Sequence, residues 1–131
     1  MKIIEKEKLI IRKSFKITFK NGEIWAEELD SLSIHTEVAK KKFLMDLEQI
    51  KKPSMPAYIS INLNETLVDE NFAILLVNGL SSIRRPIMKV VFIGLDRKAR
   101  KIFDNLFRTT PHNFIYTSIN DFEKAKEWLI N

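Results

Sequence analysis

Acidic and amide side chains that could bind a cation or contact a partner protein are concentrated in residues 64–72. This segment reads Asn-Glu-Thr-Leu-Val-Asp-Glu-Asn-Phe and follows a strand-like run. Asp69 and Glu70 lie in it, and Asp96 follows the next strand-like run, so parallel strands would bring the three carboxylates to one sheet edge. A cation site is one interpretation. Carboxylates at helix N-termini also act as caps, and we favour that structural role.

The chain offers little of the chemistry that enzymes use. It has no cysteine, and its two histidines, His35 and His112, do not form a metal-binding His-x-x-x-His pair. Its three glycines, Gly22, Gly79 and Gly94, are too far apart for a phosphate-binding loop or a dinucleotide fingerprint. We therefore expect a non-catalytic protein without a metal or another cofactor.

Composition predicts one globular domain over residues 1–131, with residues 1–8 either flexible or forming a short leading strand. Apolar residues make up 45% of the chain and charged residues 30%. No apolar run approaches the roughly 20 residues of a membrane-spanning helix, and the start lacks the apolar centre of a signal peptide. We expect a cytoplasmic protein with no membrane insertion. Its richness in lysine, isoleucine and asparagine favours an AT-rich bacterial genome.

The net charge of +5 comes largely from one stretch between residues 84 and 108. The cations of this stretch are Arg84, Arg85, Lys89, Arg97, Lys98, Arg100, Lys101 and Arg108. A solvated helix face is the favoured interpretation. Nucleic-acid modules usually combine such a patch with exposed aromatic residues or a known motif, and neither is evident, so we expect no nucleic-acid partner. An anionic ligand or an acidic protein surface remains open.

The second half of the chain alternates strand-like and helical segments. The strand-like runs are residues 57–63, 88–94 and 113–117, and the helical runs are residues 69–84, 97–107 and 120–130. Alternation at this spacing predicts crossover connections and a mostly parallel sheet, with its βα loops along one edge. The nearly unbroken apolar run at 88–93 predicts a central strand, and the other two strands are expected nearer an edge.

The first half predicts a β-hairpin followed by a helix. Apolar residues alternate over 9–19, Asn21-Gly22 is typical of a type I′ turn, and residues 23–29 return as the partner strand. Residues 34–51 have helical spacing, with Ser33 suited to a cap, and a two-proline link follows at 52–56. An uncovered hairpin edge over residues 9–29 could pair with a second copy to form a homodimer.

The assembled order of elements resembles the STAS domain of bacterial anti-sigma factor antagonists and of sulfate-transporter tails. Residues 58–64, Tyr-Ile-Ser-Ile-Asn-Leu-Asn, are similar to the third strand of that family. Residues 90–95 are similar to its next strand and turn, and residues 114–125 to its closing strand and acidic helix start. The resemblance spans roughly residues 9–130. It implies an α/β fold with a mixed, mostly parallel sheet, an N-terminal β-hairpin and four helices.

The motif that regulates the family is altered in this chain. Family members carry Asp-Ser/Thr-Ser-Gly at the start of the helix after the third strand, and a partner kinase phosphorylates the second hydroxyl. The matching residues here are Asp69, Glu70, Asn71 and Phe72. Asn71 therefore stands at the phosphoacceptor position and cannot be phosphorylated, although an alignment shifted by one residue would place Glu70 there.

Three interpretations of this segment remain. Glu70 could mimic a permanent phosphate charge, or the loop could bind a partner without phosphorylation and use Phe72 as an apolar anchor. The loop could also be inert, with a resemblance in fold alone. We favour the second interpretation because Ile74 and Val77 lie off the main apolar stripe of the helix at 69–84. A second buried face would also explain these two residues.

The sequence thus predicts a regulatory or adaptor protein that binds a protein partner through one sheet edge. By resemblance, that partner is an anti-sigma factor or a kinase-like regulator. The residues expected to bind it are Asn64, Asp69, Glu70, Asn71, Phe72, Ile74, Val77 and Arg97. Asp69 is expected to cap its helix and Arg97 to add a neighbouring polar contact. The alternative is a small anionic ligand, such as phosphate, a nucleotide or a lipid headgroup, bound at the helix N-termini near Asp69, Arg97 and Asn120.

Overall fold

A computed structural model describes residues 9–53 and 55–131, so the expectation for residues 1–8 lies outside the described part. Within those residues the chain forms five strands and four helices. They are β1 (Phe15–Phe19), β2 (Gly22–Glu28), α1 (Thr36–Ile50), β3 (Ala57–Asn62), α2 (Glu70–Ser81), β4 (Ile87–Ile93), α3 (Arg97–Thr109), β5 (Ile115–Ser118) and α4 (Phe122–Ile130). The predicted α/β class, N-terminal hairpin and four helices are confirmed.

The five strands form one mixed sheet in the order β1-β2-β3-β4-β5. β1 and β2 pair antiparallel, and the other three pairs are parallel. β5 lies at an edge, as predicted, but β3 lies in the middle of the sheet, and the expectation that it lies near an edge is wrong. The polar residues Ser60 and Asn62 of β3 are both buried, and Asn62 makes hydrogen bonds to Glu28 and Asn64.

Helices cover the two faces of the sheet unequally. The larger core joins one sheet face to α1, α2 and α3, through residues such as Ile59, Phe43 and Phe92. The opposite face has a smaller cluster in which Val91 and Ile93 of β4 pack against Ala125 and Leu129 of α4. Because Val90 and Phe92 belong to the first core while Val91 and Ile93 belong to the second, alternate side chains of β4 serve opposite faces.

The hairpin turn lies one residue earlier than the sequence predicted. Phe19 pairs with Gly22, so the turn residues are Lys20 and Asn21, and Lys20 has a φ of 52°. Gly22 is the first residue of β2, where a Cβ atom would clash with the carbonyl oxygen of Pro56. That oxygen accepts the N–H of Glu23 at 2.9 Å. The glycine is therefore required by close packing of two backbones rather than by turn geometry.

The first strand is shorter than predicted because side-chain contacts replace the ladder before Phe15. Arg12 forms an ion pair with Asp30, and the Ser14 hydroxyl accepts the N–H of Glu28. Within β1, Phe15 and Ile17 are about half exposed, at 51% and 53%. This edge is open in the described part of the chain, and the homodimer through it stays a prediction.

Two helices start at residues other than those that the sequence predicted. His35, not Ser33, is the N-cap of α1, and Ser33 instead forms a parallel bridge with Thr66. Asp121, not Asn120, caps α4, because the Asn120 side chain is used elsewhere, accepting the N–H of Gly94 and donating to the Leu95 carbonyl.

Arg85 belongs to the predicted basic patch but is buried at the amino edge of the sheet. Its Nη1 atom donates to Glu23 Oε1 at 2.8 Å and to the carbonyl of Ile50 at 3.1 Å. Its Nε and Nη2 atoms both donate to the carbonyl of Met55. A buried guanidinium needs such complete pairing, so Arg85 joins β2, the end of α1 and the link before β3.

The described helices also bear on the membrane question raised by the sequence. Among residues 9–53 and 55–131, we find no helix whose length and apolar character would let it cross a bilayer.

We expect Gly22→Ala to lower the free energy of unfolding by about 1–3 kcal/mol, as overpacked sites do. The added methyl group must displace the Pro56 carbonyl and weaken its bond to Glu23. Urea denaturation followed by circular dichroism measures the change. Asn21→Ala, in the exposed turn beside it, is the matched control, and equal stability of the two variants would contradict the packing explanation.

Candidate functional site

The pairing of β2 with β3 continues beyond the strands into the loops at the carboxyl edge. We call residues 29–35 and 63–69 together the paired-loop platform. Four backbone bonds cross or enter it: Leu29 N to Asn62 O at 2.9 Å, Ser31 N to Asn64 O at 2.8 Å, Ser33 N to Glu65 O at 2.9 Å, and Leu67 N to Ser33 O at 2.8 Å. The two loops therefore behave as one bonded unit rather than as independent connections.

Thr66 lies at the centre of the paired-loop platform. It is buried, its Oγ1 donates to the Leu29 carbonyl at 2.6 Å, and the same oxygen accepts the N–H of Leu32 at 3.0 Å. One hydroxyl thus satisfies a buried acceptor and a buried donor on the opposite loop, as a buried backbone requires.

The platform also holds strained backbone. Ser31, Ser33 and Glu65 have φ values of 60°, 51° and 56°, and they are three of the four non-glycine residues with positive φ in the described chain. This conformation costs on the order of 1 kcal/mol for each residue, and the cross-loop hydrogen bonds offset that cost. Strain of this kind concentrates at functional sites, so its presence here supports a binding role for the platform.

Two apolar side chains project from the platform into solvent. Ile34 is 73% exposed and Leu67 is 52% exposed. The bond from Leu67 N to Ser33 O makes their backbones neighbours, and Asn64, Glu65 and Asp69 surround them as exposed polar residues. Apolar side chains that are rigidly held beside polar ones are typical of the centre of a protein contact.

Sequence reasoning missed Ile34 and Leu67. The sequence predicts that Ile34 lies in the first turn of a helix, and it predicts no role for Leu67 within residues 64–72. The available signal was the Leu67-Val68 pair, because two apolar residues in an otherwise polar loop need either a core or a partner. The pairing of the two loops could not be found from local pattern.

Phe72 and Val77 are fully buried, which corrects the expected anchor role of Phe72 and the expected surface position of Val77. α2 packs against both α1 and α3 as well as the sheet, so its apolar residues are covered from several directions. The second buried face explains Val77. Ile74 is half-buried and retains part of its surface.

The remaining predicted residues of α2 lie at its exposed N-terminus. Asp69 is the N-cap, as predicted, and its Oδ1 accepts the N–H of Phe72 at 2.8 Å. Glu70 and Asn71 follow in the first turn, and both are exposed. Because Asp69 ends the platform, these two side chains adjoin the surface that carries Leu67.

The turn after β4 brings Arg97 to the same edge. Gly94 has a φ of 91°, and a Cβ atom there would lie 2.5 Å from Asn64 Cα and 2.6 Å from Asn64 N. The glycine therefore lets the turn pack directly on the platform, and Asn120 holds the turn from its other side. Arg97 begins α3 just beyond this contact and is exposed.

Three of the four helices that start at this edge, α2, α3 and α4, are capped by an aspartate. Asp69 caps α2, Asp96 accepts the N–H of Ala99 at 2.7 Å, and Asp121 accepts the N–H of Lys124 at 3.0 Å. These carboxylates occupy N–H groups that a bound anion would need, and they add negative charge. Within the described ranges, no group of three or more His, Cys, Asp or Glu side chains is arranged to hold a metal ion.

A series of hydrogen bonds and ion pairs among side chains of β2, β3 and Arg12 connects the platform to the sheet. The side-chain amide of Asn62 donates to Glu28 Oε2 at 3.1 Å, and its Oδ1 accepts the N–H of Asn64 at 3.1 Å. Arg12 lies 3.6 Å from the same Glu28 oxygen and 3.1 Å from Asp30 Oδ2. These interactions hold the backbone of Asn64 against the sheet, so the exposed edge of the platform is fixed by hydrogen bonds to buried residues.

Glu27, a residue of β2, has a carboxyl group with a strongly raised pKa and lies near Asp46 of α1. Glu27 is fully buried, and its Oε1 accepts the indole N–H of Trp25 at 2.8 Å. Burial, together with the neighbouring Asp46, raises the pKa of Glu27 from 4.5 to about 8, against smaller opposing effects of Trp25 and Lys42. The interaction between the Glu27 and Asp46 carboxyl groups raises the pKa of Glu27 and lowers the pKa of Asp46, so Glu27 is the member of the pair that keeps the proton.

Asp46 is the ionised member of this pair. Burial alone would raise the pKa of Asp46, but hydrogen bonds from Glu27, Lys42 and Ser14 together with the Lys42 charge lower it. Lys42 Nζ lies 2.8 Å from Asp46 Oδ2. The cluster therefore carries one shared proton and one partly buried ion pair at neutral pH.

A cavity of about 560 Å³ lies at the opposite, amino edge of the sheet. Arg84, Pro86, His112 and Phe114 are among the residues that line it. It lies beside the C-terminal ends of α2 and α3, whose carbonyl groups disfavour bound anions. It lies away from the residues that the sequence predicted to bind a partner.

Comparisons with known proteins give no match: no family model fits the chain, and no curated protein or solved structure is significantly similar to it. The function must therefore be inferred from the chain's own residues and contacts.

The raised pKa of Glu27 predicts that stability falls as pH rises from about 4.5 to about 8. In that range the folded state binds a proton that the unfolded state lacks, so the unfolding free energy drops by up to about 1.4 kcal/mol per pH unit. Glu27→Gln should remove this slope and be more stable than the wild type at pH 8. Urea denaturation from pH 4.5 to 9 tests this, with exposed Glu48→Gln as the control; parallel profiles for wild type and Glu27→Gln would contradict it.

Thr66→Val should destabilise the fold, because it leaves the Leu29 carbonyl and the Leu32 N–H without partners. Each unsatisfied buried group costs about 1–3 kcal/mol. The control Thr109→Val changes an exposed hydroxyl with one long bond of 3.4 Å and should shift stability by less than about 0.5 kcal/mol. Hydrogen exchange should also quicken at Ser31, Ser33 and Leu67 in Thr66→Val. Unchanged exchange there would show that Thr66 does not hold the two loops together.

Proposed function

We propose that this chain is a non-catalytic regulatory or adaptor protein that binds a protein partner through the paired-loop platform and the adjoining start of α2. The observation that carries the proposal is the exposure of Ile34 and Leu67 on strained, cross-bonded backbone. A rigid surface loses little conformational entropy on binding, so its apolar contacts convert efficiently into affinity. Asn64, Glu70, Asn71 and Arg97 form the polar surroundings of this contact.

The proposed partner is an anti-sigma factor or a related kinase-like regulator, and the proposed location is the cytoplasm. The partner rests on the resemblance to STAS domains in the order of elements and in residues 58–64, 90–95 and 114–125, whereas the location rests on the composition of the chain. The mixed sheet with its N-terminal hairpin and four helices agrees with that resemblance without identifying the family.

We propose further that no phosphorylation switch operates on residues 64–72. Asn71 stands where the family's phosphoacceptor would be and has no hydroxyl. The one hydroxyl of this segment belongs to Thr66, which is buried and uses its oxygen in two hydrogen bonds. A kinase could reach it only after the two loops separate.

The alternative, a small anionic ligand at the carboxyl edge, has less support. Asp69, Asp96 and Asp121 already bond to the N-terminal N–H groups of α2, α3 and α4. Glu65 and Glu70 add negative charge at the same edge. Phosphate would meet repulsion there from several sides.

We expect the double variant Ile34→Glu/Leu67→Glu to lose partner binding. Full burial of one such side chain contributes about 1.5–3 kcal/mol, so losing two should weaken binding at least 100-fold. The partner is first captured from a lysate of the source organism, then purified, and its affinity is measured by titration calorimetry. The matched control is Leu44→Glu/Met45→Glu, which makes the same changes at exposed apolar residues of α1.

Three outcomes decide this experiment. Loss of affinity in the platform variant alone supports the proposal, provided that its melting temperature stays near that of the wild type. Equal affinity of both double variants places the partner elsewhere and contradicts the platform. A rise of several degrees in melting temperature with inorganic phosphate, abolished by Arg97→Ala, would favour the anionic-ligand alternative.

A further inference from the structure

The free edge of β5 presents backbone groups that no other part of the described chain uses. β5 lies at the end of the sheet and pairs with β4 alone. The N–H of Ile119 donates to the Phe92 carbonyl at 3.0 Å, so by strand alternation the N–H and C=O groups of Tyr116 and Ser118 point away from β4. No loop or helix of the described chain bonds to them. Such an edge is a template for an added strand.

A groove of about 270 Å³ runs beside this edge, between β5 and α3. Phe92 and Phe103 contribute its apolar lining, while Arg100 and Asp104 of α3 and Ser118 of β5 contribute polar atoms. The Ser118 hydroxyl is buried and has no hydrogen-bond partner in the described chain. The groove therefore has room for a side chain.

The exposed surface of α3, the helix that lines this groove through Arg100 and Asp104, is positively charged. Its exposed cations are Arg97, Lys98, Arg100, Lys101 and Arg108. None of the five forms an ion pair within the part of the chain that the structure describes. The acidic side chain among them, Asp104, is occupied by the Tyr116 hydroxyl at 3.0 Å. The charge of this surface is thus left for an outside partner.

We propose that the β5 edge and α3 bind an extended acidic segment of a partner protein as a sixth strand. The main chain of that segment pairs with Tyr116 and Ser118, which supplies affinity independent of sequence. Every second side chain of an added strand faces α3, so carboxylates at alternate positions meet Arg100 and its neighbours. The β5 edge and Arg100 are not part of the paired-loop platform, although Arg97 adjoins both surfaces, and the inference does not depend on the function proposed there.

Charge repulsion argues against a second copy of the chain at this edge, and the lack of a free aromatic ring for stacking among the described residues there argues against single-stranded nucleic acid. Pairing β5 with β5 of a second copy would bring two basic α3 surfaces together, which like-charge repulsion disfavours. Single-stranded nucleic acid needs exposed aromatic rings for stacking. The aromatic ring at this edge, Tyr116, is stacked on Phe107 with ring centroids 4.1 Å apart. Asp104 would also repel a phosphate backbone.

The probe is a fluorescein-labelled seven-residue peptide that alternates glutamate with threonine, followed by fluorescence anisotropy and by amide chemical shifts of the protein. We expect saturable binding below 1 mM, with the largest shifts at residues 115–119 and along α3. A peptide with glutamine in place of glutamate should bind at least tenfold more weakly. The same peptide N-methylated at two consecutive central residues should lose binding, because one of the two N–H groups must face β5.

Two protein variants test the two halves of the site. Arg100→Glu should weaken the glutamate peptide at least tenfold, whereas Lys41→Glu, the same charge change on exposed α1, should weaken it less than twofold. Ser118→Pro removes an outward N–H without removing a bond to β4 and should abolish binding. If this variant fails to fold, the N-methylated peptide tests the same main-chain pairing.

Several results would overturn the proposal. They are no binding at 1 mM, equal binding of the glutamine peptide, equal effects of Arg100→Glu and Lys41→Glu, or shifts confined to another surface. Tighter binding of a single-stranded oligothymidine at residues 115–119 would also overturn it, in favour of nucleic acid. Dimerisation that Ser118→Pro abolishes would overturn it in favour of a second copy.

Discussion

The parallel pairing of β2 with β3 is the constraint on which most of this structure depends. It begins where the N–H of Glu23 meets the Pro56 carbonyl and continues past both strands to the bond between Leu67 and Ser33. Because the two strands run in the same direction, α1 must return the chain across the sheet, and both strand ends must reach the same edge. The paired-loop platform is the continuation of this ladder into backbone that no longer has strand geometry.

The charges of the molecule are separated between two surfaces. The net charge of +5 describes the whole chain, but the carboxyl edge carries Glu65, Asp69, Glu70 and Asp96 beside the single cation Arg97, whereas the rest of the exposed side of α3 carries four cations. The two surfaces lie next to each other, since α3 starts at one and runs along the other. The acidic carboxyl edge therefore favours a positively charged partner surface, whereas the basic surface of α3 beside β5 favours a negatively charged one.

Local pattern predicted the elements well, because each depends on short-range periodicity. The alternation of runs after residue 57, the hairpin and the Asp69 cap all follow from spacing and capping chemistry. The spacing of apolar residues in α2 did not show whether Val77 faces solvent, because its burial depends on α1 and α3, which pack on two sides of α2. The alternation of polar and apolar residues in β3 indicated a position near an edge, because a buried polar residue such as Asn62 cannot be told from an exposed one until its hydrogen-bond partners are known.

The candidate site was only partly predictable for the same reason. Asn64, Glu70 and Asn71 lie on the exposed edge where the loop after β3 was expected. Ile34 and Leu67 become neighbours through bonds between residues more than 30 positions apart, and the role of Gly94 depends on its contact with Asn64. Long-range backbone contacts of this kind leave almost no mark on local composition.

Burial of Glu27 has a calorimetric consequence. Near neutral pH the folded chain holds a proton on this carboxyl that the unfolded chain releases to the buffer. The measured heat of unfolding then contains the ionisation heat of whatever buffer accepts that proton. It should differ between Tris, which takes up protons with a large heat, and phosphate, which does so with a small one, even though the folded structure is the same in both.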